Sequence, residues 1–598
     1  MESAVSVKVV LKPGAVARRR LPFLRTAALV TLVLVVGVEA GTAALRIIAV
    51  DLHDRLFPDR PPSPAASTRI SVPRGAPAVF QFALTSDKAG AATVAVSTIA
   101  RESLGGNFPG EARVHFLLPV HVEGNTQGSK INRPGGPVPE GWMQQLVRAA
   151  PFDTLEVLAD SEPLNLAAGK THGLLVEVAV PATAAPGNYS GSITVSSGGE
   201  SASAPLHFSV HETVLPEAQS LHSVHWLWPE PCNLTRDNVP AWWSERHWTL
   251  LENSGRQLRR FGDDTLYTPL VNYREPLIQI SAREDGGHEF DYARFNRWVE
   301  TFRKLGYRHF AGHHILNLPL NHAGGVFVLD GKTGHRRVLF SPAQREEWLG
   351  FLPTFYASLQ AHLAAKGWTN LFLLHQYDEP RDAALYQRLA ALAREDLPGV
   401  RTIDAINSSR QDVFSPLVDV QVFNLVGLNR YQALVEERAR AGRDSWLYHC
   451  TSPYPPHPNR HLDCSLTESR LYPWLCFKLG AQGYLFWGAN IYRGADEYKT
   501  SIGPFPNGSQ NPGHPPGDNW FFYRGPDGLR PSMRMVSFRE GVIDYELLTL
   551  LAKHAPERAQ AFAQRVVRTI TDFERQPAVY HQVRADLLAV LEDSEAGK

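Results

Sequence analysis

Residues 370–380 read Asn370-Leu371-Phe372-Leu373-Leu374-His375-Gln376-Tyr377-Asp378-Glu379-Pro380. The run Leu371 to Leu374 is apolar and of strand length, and the residues after it are polar, aromatic and acidic, so a buried strand surfaces here among titratable groups. Pro380 suits the approach to a helix, predicted over Ala383 to Glu395 by its apolar spacing. The same order of short strand, polar exit and amphipathic helix recurs on both sides of this stretch. Candidate strands are His222 to Trp228, Thr265 to Val271, Arg308 to Ile315, Asn370 to Tyr377, Arg401 to Ile406, Val418 to Asn424, Ser445 to His449 and Gly483 to Trp487. Helical patterns lie between them, as in Trp248 to Phe261, Asp291 to Leu305, Pro342 to Lys366, Asn429 to Ala441 and Glu468 to Leu479. About eight βα units over roughly 300 residues is the size of a (β/α)8 TIM barrel. A doubly wound open sheet is the rival architecture. No G-x-G-x-x-G follows the first strand and no G-x-x-x-x-G-K-[ST] occurs, so nucleotide chemistry has no support.

Active sites of such barrels lie at the C-terminal ends of the strands. Here those ends are polar and aromatic. Strand one ends in His225-Trp226-Leu227-Trp228, strand three in His313-His314, strand four in His375-Gln376-Tyr377-Asp378-Glu379, strand six in Asn424, strand seven in Tyr448-His449 and strand eight in Trp487-Gly488-Ala489-Asn490. Trp and Tyr faces stack on sugar rings, while Asn, His and Asp satisfy hydroxyls. Trp228, His313, His314, His375, Tyr377, Asn424, Tyr448, His449, Trp487 and Asn490 are therefore the candidate substrate-binding residues of a carbohydrate cleft. For His313 and His314 a satisfied structural histidine is an equal alternative.

Asp378 and Glu379 are the candidate catalytic residues. Like charges in one pocket push one pKa upward. A protonated carboxyl beside an ionised one is the combination that glycosidic cleavage uses. The plainer reading pairs Asp378 with Arg381 and gives Glu379 a helix-capping role. Common retaining barrel glycosidases place an acid after strand four and a carboxylate nucleophile after strand seven. Strand seven here ends in Ser445-Trp446-Leu447-Tyr448-His449-Cys450, without a carboxylate. The nucleophile can instead be the substrate's own 2-acetamido oxygen, with Asp378 orienting and stabilising the acetamido group and Glu379 donating the proton. A two-carboxylate glycosidase with its nucleophile elsewhere, and a non-catalytic glycan-binding cell-surface protein, are the alternatives.

The rest of the chain frames this unit. Its 598 residues are too many for one small module, and 60 Lys+Arg against 60 Asp+Glu leave no net field to recruit nucleic acid. Four cysteines are too few for a disulfide scaffold, although one or two bridges could form. The 23 histidines are dispersed without metal-ligand spacing, so neither a catalytic metal nor a cofactor is expected. Arg18, Arg19, Arg20 and Arg25 precede the apolar run Thr26 to Val38, the order of an export signal. Residues 1–50 are read as signal peptide or membrane anchor, with anchoring through residues 23–50, and 51–67 as a Pro-rich linker. The protein is expected to be exported: periplasmic, secreted, or anchored facing outward. Period-two patterns over 68–216, among them Ala78 to Leu84, Leu174 to Val180 and a Pro186-Gly187-Asn188 turn, predict an antiparallel β-sandwich of about seven strands. Residues 217–553 form the barrel unit and 554–598 a helical tail. The Gly/Pro-rich stretch Arg493 to Pro531, with Trp520, Phe521, Phe522 and Tyr523, is expected to be a lid or cleft wall. Arg534 to Glu546 is expected to be the last barrel helix, its charges supporting the fold.

The region from Thr68 to Leu551 resembles glycoside hydrolase family 123. The resemblance is carried by V-P-x(n)-P-G-x-Y-x-G-x-I-x-V from Val180 to Val195, by Tyr377-Asp378-Glu379-Pro380, by Leu485-Phe486-Trp487, and most specifically by Arg534-Met535-Val536-Ser537-Phe538-Arg539-Glu540-Gly541-Val542-Ile543-Asp544-Tyr545-Glu546. The last stretch departs from the family pattern at Ser537, Glu540 and Ile543. The resemblance implies a β-sandwich followed by a barrel and β-N-acetylgalactosaminidase-like activity. It also places the family's adjacent Asp and Glu, used in substrate-assisted hydrolysis, on Asp378 and Glu379.

Overall fold

A computed structural model describes residues 45–596 apart from positions 104, 130, 161–162, 272–274, 317–324, 331–332, 334, 342 and 505–512. The front of the chain forms two packed sheets. One has the order Leu45–Val50, Ala78–Ser86, Thr171–Val178, Ala112–Val122, Phe152–Ala159. The other runs Arg69–Arg74, Glu200–Val214, Gly187–Ser197, Gly90–Val96, Leu164–Leu166, with Ala100–Arg101 beside Gly187–Ser197. This is a sandwich of five and six strands rather than seven, and Arg69–Arg74 pairs parallel with Glu200–Val214 where antiparallel pairing was expected. Side chains alternate along a strand, so one strand can serve two cores. Ala78, Phe80, Phe82 and Leu84 face the second sheet, whereas Val79 and Ala83 pack with the barrel's outer layer. The first sheet is thus sealed on both faces.

Two N-terminal expectations are corrected. Residues 45–50, read as part of a signal or anchor, are an edge strand with Leu45 opposite Ser86 and Val50 opposite Gln81. Their β-branched residues pair with a neighbouring strand, so no anchor can use them. Residues 51–67, read as a linker, lie on the body. Leu52 and Leu56 are core residues, Gln81 Nε2 donates to the Asp51 and Asp54 carbonyls at 2.6 and 2.9 Å, and the Thr171 amide donates to the Pro58 carbonyl at 3.0 Å. Residues 1–44, with the apolar run Thr26 to Val38, lie outside the described residues. No described helix is long and apolar enough to cross a membrane.

All eight candidate barrel strands are present, seven of them shortened and the seventh shifted by one residue: His222–His225, Thr265–Thr268, His309–Gly312, Phe372–Leu374, Arg401–Ala405, Val420–Asn424, Asp444–Tyr448 and Gly483–Phe486. We number them one to eight. They form an eight-stranded parallel sheet in the order one, eight, seven, six, five, four, three, two. Strands one and two approach each other, the Asp264 amide donating to the Ser223 carbonyl at 3.1 Å, so the barrel is nearly closed. Alternate residues, including Val224, Tyr267, Leu373, Val422, Trp446 and Leu485, fill its interior. The coverage by helices is uneven. Strand five is followed by the single helical turn Gln411–Phe414, while strand seven leads to Leu466–Leu479 and strand eight to Met533–Ala552. The connections after strands two and three add a four-stranded sheet.

The helix Met533–Ala552 carries the buried ionic framework. Arg534 Nε donates to Glu156 of the first sheet at 2.6 Å, and Arg539 pairs with Glu177 of the same sheet. Asp544 accepts from Arg470 at 2.7 Å and from Arg584 of the C-terminal helix at 2.6 Å. These charges are ligated inside the protein, as a buried ion must be. The tail after residue 553 is therefore part of the same body, His211 on the second sheet also meeting Glu592 at 3.0 Å. None of the four cysteines is bridged.

Candidate active site

The barrel interior rises to its C-terminal mouth as a stack of rings. Trp226 from the exit of strand one stacks on Tyr267 of strand two with centroids 4.2 Å apart. Tyr267 stacks on His313 at 3.9 Å, and its hydroxyl meets His314 Nδ1 at 3.1 Å. His314 lies 4.3 Å from His375 of strand four. Burial lowers the pKa of His313 and His314 well below the usual imidazole value, so both are neutral at pH 7. Above this layer stand Asp378 and Glu379.

The two carboxyls diverge. Glu379 has φ 44°, the left-handed region that a non-glycine residue occupies only when its surroundings hold it there. Its amide donates to the Ala405 carbonyl of strand five at 3.0 Å. This reversal turns the Glu379 side chain towards strand seven, where the Tyr448 hydroxyl donates to Oε1 at 2.5 Å. Asp378 points the other way, its Oδ1 3.9 Å from His314 Nε2 of strand three. Asp378 opens into the mouth, with 43% of its side-chain surface accessible, yet protein surrounds the site deeply. Desolvation, then the charges of Glu379 and Asp404, push its pKa up to about 7.

Asp404 sets the backbone beneath the pair. Its Oδ1 accepts the amides of Gln376 and Tyr377 at 2.9 and 3.1 Å, and its Oδ2 accepts the Tyr386 hydroxyl at 2.7 Å. Sequence reading passed over Asp404 because strand five contributed no exit residue to the candidate set, and passed over Tyr267 because strand two did not either. The signal available was position: Asp404 is the next-to-last residue of strand five, three residues before the polar run that begins at Asn407.

The other candidates divide. Trp228 and Trp487 are half-buried at the mouth and joined, Trp228 Nε1 donating to the Trp487 carbonyl at 3.1 Å. Tyr377 is half-buried and packs beside Tyr386 and Phe414. Asn424 caps the short helix Leu425–Arg430, accepting the Gly427 amide at 2.7 Å, and its Nδ2 donates to Asn407 at 2.7 Å. Two assignments are corrected. His449 faces away from the mouth, stacked on Tyr472 at 4.0 Å and meeting the Tyr484 hydroxyl at 3.1 Å. It follows Tyr448, and successive side chains on a strand point to opposite faces. Asn490 is fully buried, with Oδ1 on the Trp228 amide and Nδ2 on the Trp228 and Asn233 carbonyls, so its amide joins the exits of strands one and eight instead of meeting a ligand.

Strand seven ends in Tyr448, and residues 445–452 contain no carboxylate. The predicted lid is also revised. Trp520, Phe521, Phe522 and Tyr523 are interior, because the chain there folds into two hairpins. It is tied to the front sheet by Glu123, which accepts the amides of Ser501 and Ile502 at 2.8 and 3.0 Å. His514 from this insertion packs edge-on against Trp487 at 5.2 Å and so contributes wall to the mouth.

Among the described residues, three groups bring potential cation ligands together, two of them from distant parts of the sequence and the third from one short stretch: Asp51, His53 and His581; His314, His375 and Asp404; and His461, Asp463 and Cys464. In the second, Asp404 is already engaged as described. In the third, Asp463 accepts the Thr126 amide and hydroxyl at 2.7 and 3.0 Å. In the first, Asp51 meets His581 directly at 3.0 Å.

The family described as "Glycoside hydrolase 123, catalytic domain" matches residues 228–551, more than half of the chain, including Asp378 and Glu379. The chain belongs to glycoside hydrolase family 123. Among solved structures, a family 123 glycoside hydrolase from Clostridium perfringens, studied for its hydrolysis of glycolipid glycans, superposes with a TM-score of 0.71 at 15% identity, covering 92% of this chain and 98% of that one. At that identity the likeness is one of fold, and it extends through both the sandwich and the barrel. β-Glucuronidase 3 of Bacteroides uniformis and a β-glucuronidase of Ruminococcus gnavus align far less well, with TM-scores of 0.28 and 0.31 at 11% and 9% identity, covering 84% and 83% of this chain and 51% and 68% of theirs. No curated protein matches the chain.

Proposed function

We propose that this family 123 glycoside hydrolase cleaves β-linked 2-acetamido sugars, N-acetylgalactosaminides foremost, with retention and with the substrate's acetamido group as nucleophile. One observation carries the reading: adjacent carboxylates splay to opposite sides of the mouth, while the strand that would hold a nucleophile offers Tyr448. The acetamido carbonyl oxygen attacks the anomeric carbon as Glu379 transfers its proton to the glycosidic oxygen, and the aglycone leaves. Asp378 accepts the acetamido N–H and balances the positive charge of the cyclised intermediate. Glu379, now a base, takes a proton from water, which opens the ring at the anomeric carbon. Trp228 and Trp487 are the proposed sugar contacts, and the buried imidazoles of His313, His314 and His375 form the floor beneath them. A carbohydrate of a glycoconjugate is the proposed substrate, in keeping with the glycolipid glycans handled by the Clostridium protein. Export is proposed from the Arg-then-apolar order of residues 18–38 alone.

A thiazoline analogue of the cyclised acetamido intermediate tests the reading. Competitive inhibition well below the substrate KM is expected, because transition-state-like ligands bind about 10² or more times tighter than substrates. A two-carboxylate glycosidase would show no such preference. The pH profile gives a second test. Asp378 must be ionised to hold the acetamido group, and its pKa in the free protein lies at about 7. The acid limb of kcat/KM is therefore expected at about pH 7, activity rising as pH increases through it. A limb near pH 4 would contradict the role given to Asp378.

A further inference from the structure

Just after the edge strand Leu45–Val50, three ligand-bearing side chains meet that no step of the proposed chemistry uses. Asp51 and His53 follow that strand, and His581 belongs to the C-terminal helix Pro577–Ala596. When each residue offers one atom, a carboxylate oxygen or a ring nitrogen, the three atoms lie within 4.8 Å of one another. Asp51 Oδ2 stands 3.0 Å from His581 Nε2, and Asp51 Oδ1 stands 3.5 Å from His53 Nδ1. Ligand atoms that a tetrahedral zinc ion holds at about 2.0–2.1 Å stand about 3.3 Å from one another, so the spacing is already close to that of a metal site. The two imidazoles have centroids 5.7 Å apart and planes inclined by 52°, and so do not stack on each other.

A pair between Asp51 and His581 accounts for two of the three groups. It leaves His53 unexplained: this side chain is 2% exposed and makes no hydrogen bond at either ring nitrogen. Buried polar groups are satisfied in folded proteins, and a cation is a partner that an imidazole nitrogen can take. The carboxylate and His53 are also fixed relative to each other. The His53 amide donates to Asp51 Oδ1 at 2.9 Å, and Gln81 Nε2 donates to the Asp51 carbonyl at 2.6 Å. A cavity of about 290 Å3, lined by both Asp51 and His581, leads to the group and gives water room to complete a coordination shell. Arg584 also lines it, and the charge of Arg470 reaches His53. Both guanidiniums are matched by Asp544, and Arg584 by Glu540 as well.

We propose that Asp51, His53 and His581 form a structural site for a divalent transition ion, zinc by its donor set, which clasps the segment after the edge strand to the C-terminal helix. Two imidazoles and one carboxylate suit zinc, whereas magnesium and calcium favour sets made of oxygen alone. Asp51 and His581 are 530 positions apart in sequence. An ion held by all three residues therefore binds the folded chain far better than the unfolded one, and stabilises it by mass action. None of the three belongs to the barrel mouth, so the ion acts on stability and not on the reaction.

The test uses the full-length protein, stripped of metal with a chelator that is then removed, and titrated with zinc alone. Wild type is expected to bind about one zinc per chain more than His581→Ala does. At a hundredfold excess over Kd, zinc should raise the Tm of wild type by about 2 °C and leave that of His581→Ala unmoved. Asp51→Asn keeps the side-chain shape and the acceptor for the His53 amide, so it serves as a second variant that preserves the fold; its zinc response should be lost too. Magnesium at the same concentration should shift neither protein. Equal zinc binding and equal shifts in wild type and both variants would overturn the site, as would a wild-type Tm that zinc does not move, or one that magnesium moves as far.

Discussion

Glu379→Gln is expected to lower kcat on β-N-acetylgalactosaminides by about 10²–10⁴-fold, the range contributed by a positioned general acid. Glutamine keeps the shape and can still accept the Tyr448 hydroxyl bonded to Oε1 in the wild type, so thermal unfolding should move little. The loss should also depend on the leaving group. With dinitrophenol, which departs without a proton, most of the cyclisation rate should return, because the acid is then dispensable in that step. Steady-state kinetics on nitrophenyl and dinitrophenyl glycosides reads both effects. A uniform loss across leaving groups would place Glu379 outside the acid role, and full activity would remove it from the reaction.

The second large effect concerns stability. Arg534→Ala is expected to destabilise the protein by about 3–5 kcal/mol, the cost of breaking a buried ion pair by removing one partner. Arg534 and Glu156 are both fully buried, and the guanidinium also donates to the carbonyls of Arg460, Gly517 and Trp520 at 3.1, 2.8 and 2.9 Å. Alanine leaves those acceptors without a donor and leaves Glu156 with Arg55 alone, at 3.0 Å. Arg534→Lys should rescue only in part, since an ammonium cannot reproduce the planar fork that spans these four partners. Denaturant unfolding of the two variants measures the difference. Wild-type stability in Arg534→Ala would mean that the junction of sandwich and barrel does not depend on this pair.

The barrel was legible because its strands are short apolar runs separated by helical spacing; seven of the eight lie inside their expected segments, and strand seven starts one residue earlier, at Asp444. The parity of their exits was not legible. Tyr448 and His449 are equally polar in sequence, yet one reaches Glu379 and the other packs outside the barrel, since a strand's register against its neighbours decides which side chain turns inward. Asn490 read as a ligand contact because an asparagine bonded to backbone and one bonded to sugar look alike in sequence. The strand at Leu45–Val50 was concealed by the apolar segment just before it, and the packed path of residues 51–67 by prolines that elsewhere mark linkers. The acidic pair was visible, but its splayed geometry depends on the left-handed backbone at Glu379, which Ala405 holds from another strand and no local pattern announces.

The central claim is that the acetamido group takes part in the chemistry. The measurement that bears on it most directly is the release of nitrophenol from paired aryl β-N-acetylgalactosaminide and aryl β-galactoside, which differ only at that group. Turnover of the acetamido substrate alone is the predicted result. Comparable turnover of both would contradict substrate assistance and require a protein nucleophile.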